Sequence, residues 1–323
     1  MVARGRSLIA EPMRPQKTKQ GKENEIVHCI ACAQGCFDNL FKLKHVECLC
    51  NPLAGYEGTK PVEKTASPQK VLVVGSGPAG MTAAITAHSH GHDVTIYESR
   101  SRPGGPLYLA AAPPGREEFA QLAKDLATQL SVKKIPLFLN TDVTRDLIKK
   151  ENPDTVILAT GAKPIVLPIP GIDLPHVVES WDVLQDKVSV GEKIIILGGG
   201  AVGVETALFL AEKGTLSPEA VKFLLVNKAQ DSKTLLEMAT RGTKKITIVE
   251  MLDKVGKDIG KSTKWGMMQD LGRHHVQTMT QSKVIEITPA GLKIETELDG
   301  KSLEIRADTV VLASGAASYN PLE

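Results

Sequence analysis

From Lys70 onward the chain alternates short unbroken apolar runs with longer alanine-rich segments, and that alternation predicts most of its elements. Val71–Val74 is a continuous apolar run, the pattern of a strand buried on both faces of a parallel sheet. Glycines break the run at Gly75. An Ala-rich helix is expected from about Ala79 to His90, and Asp93–Tyr97 supplies a second strand. The same grammar returns downstream, with a strand at Lys193–Leu197, a glycine turn, a helix from about Val202 to Lys213 and a strand at Lys245–Val249. Each repeat is a βαβ unit. Val156-Ile157-Leu158-Ala159 reads as a further buried strand, closing in the turn Thr160-Gly161. Thr215–Thr243 is longer than a tight connection needs and reads as a helical excursion covering the edge of the second unit. Lys293–Ile305 alternates, as a hairpin around Asp299-Gly300 would. Residues 1–66 show little periodicity, and Thr59–Gln69 reads as a linker into the first unit.

The glycine turns carry the first chemistry. Gly75-Ser76-Gly77-Pro78-Ala79-Gly80 follows a strand and opens a helix. In that context the first glycine makes the turn, the second lets the backbone approach a pyrophosphate, and the third packs helix on strand. The free amides of the helix N-terminus then face the phosphates. Glu98 ends the second strand, where an acid accepts hydrogen bonds from ribose hydroxyls. Gly198-Gly199-Gly200-Ala201-Val202-Gly203 repeats the spacing, with Glu205 on the following helix. Glu250 ends the matching strand, and a carboxylate there favours NADH over the 2′-phosphate of NADPH. Two Rossmann-like dinucleotide-binding domains in an α/β fold are therefore expected.

Composition changes this picture at one place. Net charge is +2 and aromatic content 4%, which argues for neither a nucleic-acid nor a membrane-surface partner. All five cysteines lie between Cys29 and Cys50. A disulfide framework would spread them, so the clustering predicts a metal site in a reducing compartment. Cys29, Cys32, Cys36 and Cys48 supply four thiolates for an iron–sulfur cluster. Zinc is the rival, although its sites more often show two compact pairs. Cys50 could replace Cys48 or be a small buried residue. The basic N-terminus has an apolar stretch of only Ser7–Ala10, short of the ~7–15 residues of a signal-peptide core. No segment approaches the ~18 apolar residues of a membrane helix, and a cytoplasmic location is expected.

Taken together, these residues resemble the iron–sulfur flavoenzymes of the 2,4-dienoyl-CoA reductase and trimethylamine dehydrogenase group, which are related to old yellow enzyme. The resemblance is carried by Gly5-Arg6 through Pro12, the Cys29–Cys36 loop, Cys48 through Asn51-Pro52, and Gly104-Gly105 through Gly115-Arg116-Glu117. The glycine motifs and Ala159-Thr160-Gly161 belong to the wider two-dinucleotide flavoproteins, whose domains are glutathione-reductase-like. The resemblance implies a [4Fe-4S] cluster on Cys29, Cys32, Cys36 and Cys48. It implies FAD contacts at Ala79, Glu98, Pro106, Arg116 and Val143; Gly105, Thr160 and Gly161 are further candidate cofactor-binding residues, and the second motif makes Gly198, Gly200, Val202, Gly203 and Glu250 the candidates for NADH. Pro106 stands where the group usually carries Gln, which puts a side-chain hydrogen bond there in question. Gly5 and Arg6 match the end of the group's flavin barrel, where an Arg helps hold the FMN phosphate.

On this basis residues 1–66 are expected to hold the barrel's end and the cluster loop, 67–168 an FAD domain, 169–316 an NADH domain, and 317–323 a return to the first. The group's (β/α)8 barrel is almost entirely missing, and the chain stops at Asn320-Pro321-Leu322-Glu323, before a segment that completes the FAD site. A fragment is therefore expected, or a subunit partnered by a separate FMN barrel. Electrons would pass from NADH to FAD, then through the cluster to FMN, for reduction of an activated C=C bond. A flavin disulfide reductase needs a cysteine pair beside the flavin, and no cysteine follows Cys50. The remaining alternatives are a trimethylamine-dehydrogenase-like protein whose nucleotide domains hold ADP, and a non-catalytic electron-transfer subunit.

Overall fold

The computed structural model describes residues 5–59, 62–296 and 300–322. The chain divides into two compact units. One is Met1–Ala111, Gly115–Lys163 and Ser318–Glu323; the other is Ala112–Pro114 and Pro164–Ala317.

In the first unit the aperiodic N-terminal segment folds as α1 (Arg6–Ala10), α2 (Arg14–Lys19), a single 3-10 turn (Glu23–Glu25) and α3 (Phe37–Leu40). Then follow β1 (Lys70–Val74), α4 (Pro78–Ser89), β2 (Asp93–Tyr97), α5 (Leu107–Ala110), α6 (Glu118–Val132), β3 (Leu137–Phe138), α7 (Arg145–Glu151) and β4 (Thr155–Leu158). The strands form a parallel sheet of order β3-β2-β1-β4. Pro78 opens α4 at a position whose amide has no helical partner, so the missing N–H costs nothing. The pleat sends alternate residues to opposite faces. Val71, Val73, Val94 and Ile96 pack with Met81 of α4 and Leu122, Leu126 and Leu130 of α6. Leu72, Val74 and Tyr97 form a second, smaller cluster with Val143.

The strand expected to be buried from Val156 is not. β4 is half-buried and Leu158 is 43% exposed. β4 is the edge of this sheet, with β1 as its neighbour on one side. Its apolar run has the composition of an inner strand without the second neighbour.

The chain leaves the first unit through β5 (Ala162–Pro164). The second unit comprises β6 (Val177–Glu179), α8 (Ser180–Leu184), β7 (Lys193–Leu197), α9 (Ala201–Ala211), α10 (Pro218–Val226), α11 (Ser232–Thr240), β8 (Lys245–Val249), α12 (Lys261–Arg273), β9 (Gln277–Met279), β10 (Ser282–Thr288), β11 (Gly291–Thr296), β12 (Ser302–Arg306) and β13 (Thr309–Leu312). The return strand, β14 (Ala316–Ser318), pairs with β5.

β6-β13-β7-β8-β9 is a parallel sheet, and β10-β11-β12 an antiparallel one. Ile194 and Ile196 pack against Val204, Ala207 and Leu210 of α9. Ile195 and Leu197, on the other face, meet Ile287, Leu292 and Ile294 of the antiparallel sheet. Each such buried aliphatic side chain contributes about 1.5–3 kcal/mol. The excursion is helical, as α10 and α11, with Ser217 and Asp231 as N-caps. The sheet edge beside β8, however, belongs to β9. The alternating stretch pairs as β11 and β12, while Asp299 of its anticipated turn lies outside the described residues, as do Lys60 and Pro61 of the linker. No helix among the described residues is long and apolar enough to cross a membrane.

Candidate functional site

In each unit the chain runs outward from a central strand in both directions, β1 in the first and β7 in the second. Such switch points leave a crevice at the carboxyl ends of the strands. Both glycine motifs sit there. Gly75, at φ +97°, makes the turn after β1, and its N–H donates to Tyr97 O at 2.8 Å. A Cβ on Gly80 would collide with Gly75 O, so only glycine lets α4 start this close to the strand. Gly77 caps α4, and Met81 N–H donates to Gly77 O as the helix's first turn closes. The amides of Ala79 and Gly80 precede that bond and have no helical acceptor. A Cβ placed on Gly77 would meet nothing nearer than Pro106 Cδ at 3.9 Å, so the space beside the loop is open. These residues fit a pyrophosphate.

Glu98 is buried at 7% exposure. A buried carboxylate needs donors, and it has them. Ser76 N–H and Ser76 Oγ each donate to one oxygen at 2.8 Å, and Arg100 N–H to the other at 2.9 Å. The acid expected to hold a ribose is thus also the brace of the glycine loop.

The second motif repeats the device. Gly198 N–H donates to Val249 O at 2.9 Å, and Gly200 caps α9 with Val202 and Gly203 in its first turn. Glu250 accepts from Gly199 N–H at 2.6 Å and from Leu252 N–H at 2.7 Å. One difference was not visible in the spacing. Ala201 N–H donates to both carboxylate oxygens of Asp258, at 3.0 and 3.1 Å.

The cysteines converge. Cys29, Cys32, Cys36, Cys48 and Cys50 line one small cavity with Arg6, Gly35 and Glu47. Left-handed backbone at Ala31 and Ala33 bends the loop between the first three, and Glu47 N–H donates to Gly35 O at 2.7 Å to bring in the fourth. The loop is fixed to α6 through buried Asp125, which accepts from His28 N–H at 2.7 Å and lies 3.0 Å from its ring Nδ1. Ile30 and Cys50 belong to the same core as β1 and α4. Burial, together with the neighbouring Cys48, Cys36 and Cys29, pushes the Cys32 thiol up. Cys48 is lowered to about 6, chiefly because Cys50 donates to its sulfur and secondarily through backbone amides. The same contact and burial push the Cys50 thiol up. Among the described residues no three His, Cys, Asp or Glu side chains are set to hold a single metal ion. Several soft sulfur donors around one cavity are a donor set that suits a cluster.

The structure therefore brings Gly75, Gly77, Ala79, Gly80, Glu98, Gly105 and Pro106 together, with Gly77 Cα 3.0 Å from where a Gly105 Cβ would stand. Thr160 and Gly161 follow Ala159, whose carbonyl abuts Gly75; both also bond the backbone of Tyr319. Val143 packs against Leu72, Val74 and Tyr97 of the strands that lead to the loop. Arg116 precedes α6 with its guanidinium 5.5 Å from the Phe119 ring. Arg6 is at the cysteine cavity and 5.4 Å from the Phe37 ring, and Gly5 is the residue before α1. Ser76 and Asp258 were missed. The signal available for Asp258 was an acid between Gly256 and Gly260, shortly after β8 and Glu250.

Two switch-point glycine loops, each braced by a carboxylate from the next strand, define a flavoprotein-type oxidoreductase with two dinucleotide folds. The chain belongs to the pyridine nucleotide-disulphide oxidoreductase family, whose model matches residues 69–322. Its cysteines all precede that span. It is 42% identical to a metal reductase of Desulforamulus reducens, over 99% of this chain and 48% of the relative. It is 37% identical to an NADH oxidase of Thermoanaerobacter brockii, over 97% of this chain and 44% of the relative. A solved structure of 2-naphthoyl-CoA reductase in complex with 2-naphthoyl-CoA superposes with a TM-score of 0.84 at 32% identity, over 98% of this chain and 44% of that one. The chain spans about half the length of the curated relatives it matches.

Proposed function

We propose that this chain is the electron-input part of an NADH-dependent iron–sulfur flavoenzyme. In this reading the first unit holds FAD, the second holds NADH, and Cys29, Cys32, Cys36 and Cys48 hold a [4Fe-4S] cluster. FAD bound there would accept hydride from NADH, and the cluster would pass electrons singly towards FMN on a barrel domain or subunit. The observation that carries the reading is the shared core, because the cysteine cavity and the open pyrophosphate loop belong to one packed unit.

The chain's own residues do the positioning. The amides of Ala79 and Gly80 would take the FAD phosphates, Glu98 a ribose hydroxyl, and Gly105-Pro106, Arg116, Val143, Thr160 and Gly161 the remaining contacts. Gly198, Gly200, Val202 and Gly203 would face the NADH pyrophosphate, with Glu250 on its ribose. Gly5 and Arg6 would approach the FMN phosphate, and the Cys50 thiol would donate to the Cys48 sulfur. Similarity to an NADH oxidase and to a 2-naphthoyl-CoA reductase supports an NADH donor and an enoyl-thioester-like acceptor. Clustered free thiols suit the reducing cytoplasm.

Anaerobic reconstitution with iron, sulfide and FAD tests this. The expected result is bound iron, a broad cluster absorbance, and bleaching of flavin by NADH. Cys48→Ala should lose the iron, while Cys50→Ala should keep it. Zinc without iron would overturn the cluster, protein that takes up ADP but no flavin would favour nucleotide domains that only hold ADP, and bound flavin that NADH leaves oxidised would overturn NADH as the donor.

A further inference from the structure

The two glycine loops differ in what stands on them. At the first, the space beside Gly77 is open. At the second, a Cβ on Gly200 would stand 3.1 Å from Asp258 Oδ2, and both oxygens of that carboxylate accept from Ala201 N–H. The segment that brings Asp258 there is folded back onto the loop. Gly256 N–H donates to Gly199 O at 2.6 Å, and a Cβ on Gly199 would lie 3.2 Å from a methyl of Val255. With Glu250 on Gly199 N–H, carboxylates of the chain itself hold two backbone donors of this loop. Glu250 has a use in nucleotide binding. Asp258 has none, and it sits where the N-terminal amides of α9 would meet a phosphate anion.

We propose that Asp258 is an intramolecular competitor for the second nucleotide site: its carboxylate holds the amide end of α9 in the resting protein, and a pyrophosphate-bearing nucleotide binds by displacing it. This rests on the reading of that loop as the NADH site. Two anions cannot share one helix end, so part of the nucleotide's binding energy goes into moving the 251–259 segment outward. Among the described residues no carboxylate stands on the α4 amides in this way, and the device therefore weakens NADH binding without touching FAD. A residue acting in this way sets the NADH concentration at which the protein begins to accept electrons, and it lets oxidised nucleotide leave as the carboxylate returns.

The test is nucleotide titration of the full chain and two variants, followed by NADH fluorescence and by calorimetry with ADP-ribose. Asp258→Asn keeps an oxygen for Ala201 N–H and removes the charge; Asp258→Ala removes both. Each should lower the dissociation constant for NADH and ADP-ribose by about three- to tenfold, with FAD content unchanged. Adenosine, which has no phosphate, should bind the three proteins equally. A role limited to capping α9 would lower the thermal midpoint and leave these constants unmoved or raised. Parent protein that binds NADH, with neither variant binding it more tightly, overturns the competitor alone. A gain shared equally by adenosine overturns it too. If neither the parent nor the variants bind NADH or ADP-ribose, the reading of the loop fails and the competitor falls with it.

Discussion

At the scale of single residues, Glu98 and Glu250 show one solution used twice. Each directly follows the strand after a glycine loop, and each accepts a backbone N–H from the residue following the motif's first glycine, Ser76 in one case and Gly199 in the other. The strand-end acid was legible from the sequence because its distance from a strand is short. The brace was not, since Gly199 and Glu250 are 51 residues apart. The double duty decides which substitution is informative. Glu250→Ala would leave Gly199 N–H without its acceptor and confuse loop damage with nucleotide choice. Glu250→Gln keeps an acceptor oxygen and removes the charge that repels a 2′-phosphate. The expected outcome is a fall of about tenfold in the preference for NADH over NADPH, equivalent to about 1.4 kcal/mol. Parallel titrations with the two nucleotides measure it, and an unchanged ratio would mean that Glu250 does not face the ribose.

At the scale of elements, strands and helices beside the glycine loops were readable because both of their determinants are local. A continuous apolar run and the turn glycine after it need no knowledge of the rest of the chain. β4 was misjudged for the opposite reason, as its burial depends on how many neighbours the sheet provides. β10 was missed as a partner of the hairpin because its register slips between Val284 and Glu286, which breaks the alternation that marks a strand. The 251–259 segment was unreadable because polar residues between glycines look the same whether they face solvent or fold back onto a helix end.

The closeness of α9 to β7 gives a paired prediction. Leu210 is fully buried in the core beneath α9, whereas a Cβ on Gly203 would strike Gly198 O in the nucleotide loop. Leu210→Ala should lower unfolding free energy by about 2–5 kcal/mol through the cavity it leaves. Gly203→Ala should cost about 1–3 kcal/mol from overpacking, and it should also weaken NADH binding, because α9 must retreat from the strand. Urea unfolding with NADH titration separates the two. Equal effects on NADH affinity would show that Gly203 serves packing alone.

At the scale of the whole molecule, each unit has its own clusters of buried residues on the two faces of its own parallel sheet. A ligand that binds the native form of one unit stabilises that unit by mass action, by about 2.7 kcal/mol at a hundredfold excess over its dissociation constant. Protection from hydrogen exchange is local where structure opens locally. FAD should therefore slow exchange in residues 75–81 and 98–106, and NADH in 198–204, where the amides of Val202 and Gly203 precede the first helical bond of α9. The cysteine segment belongs with the first set. Its Ile30 and Cys50 are in the β1 core, and its His28 is tied to Asp125 of α6. Chelating iron from loaded protein should accordingly quicken exchange in residues 26–51 and along α6 while leaving β7 and β8 as they were. Peptide-resolved exchange with each ligand added or removed in turn reads all three maps at once. Protection of 198–204 by FAD, or loosening of β7 on loss of iron, would break the assignment of cofactors to units.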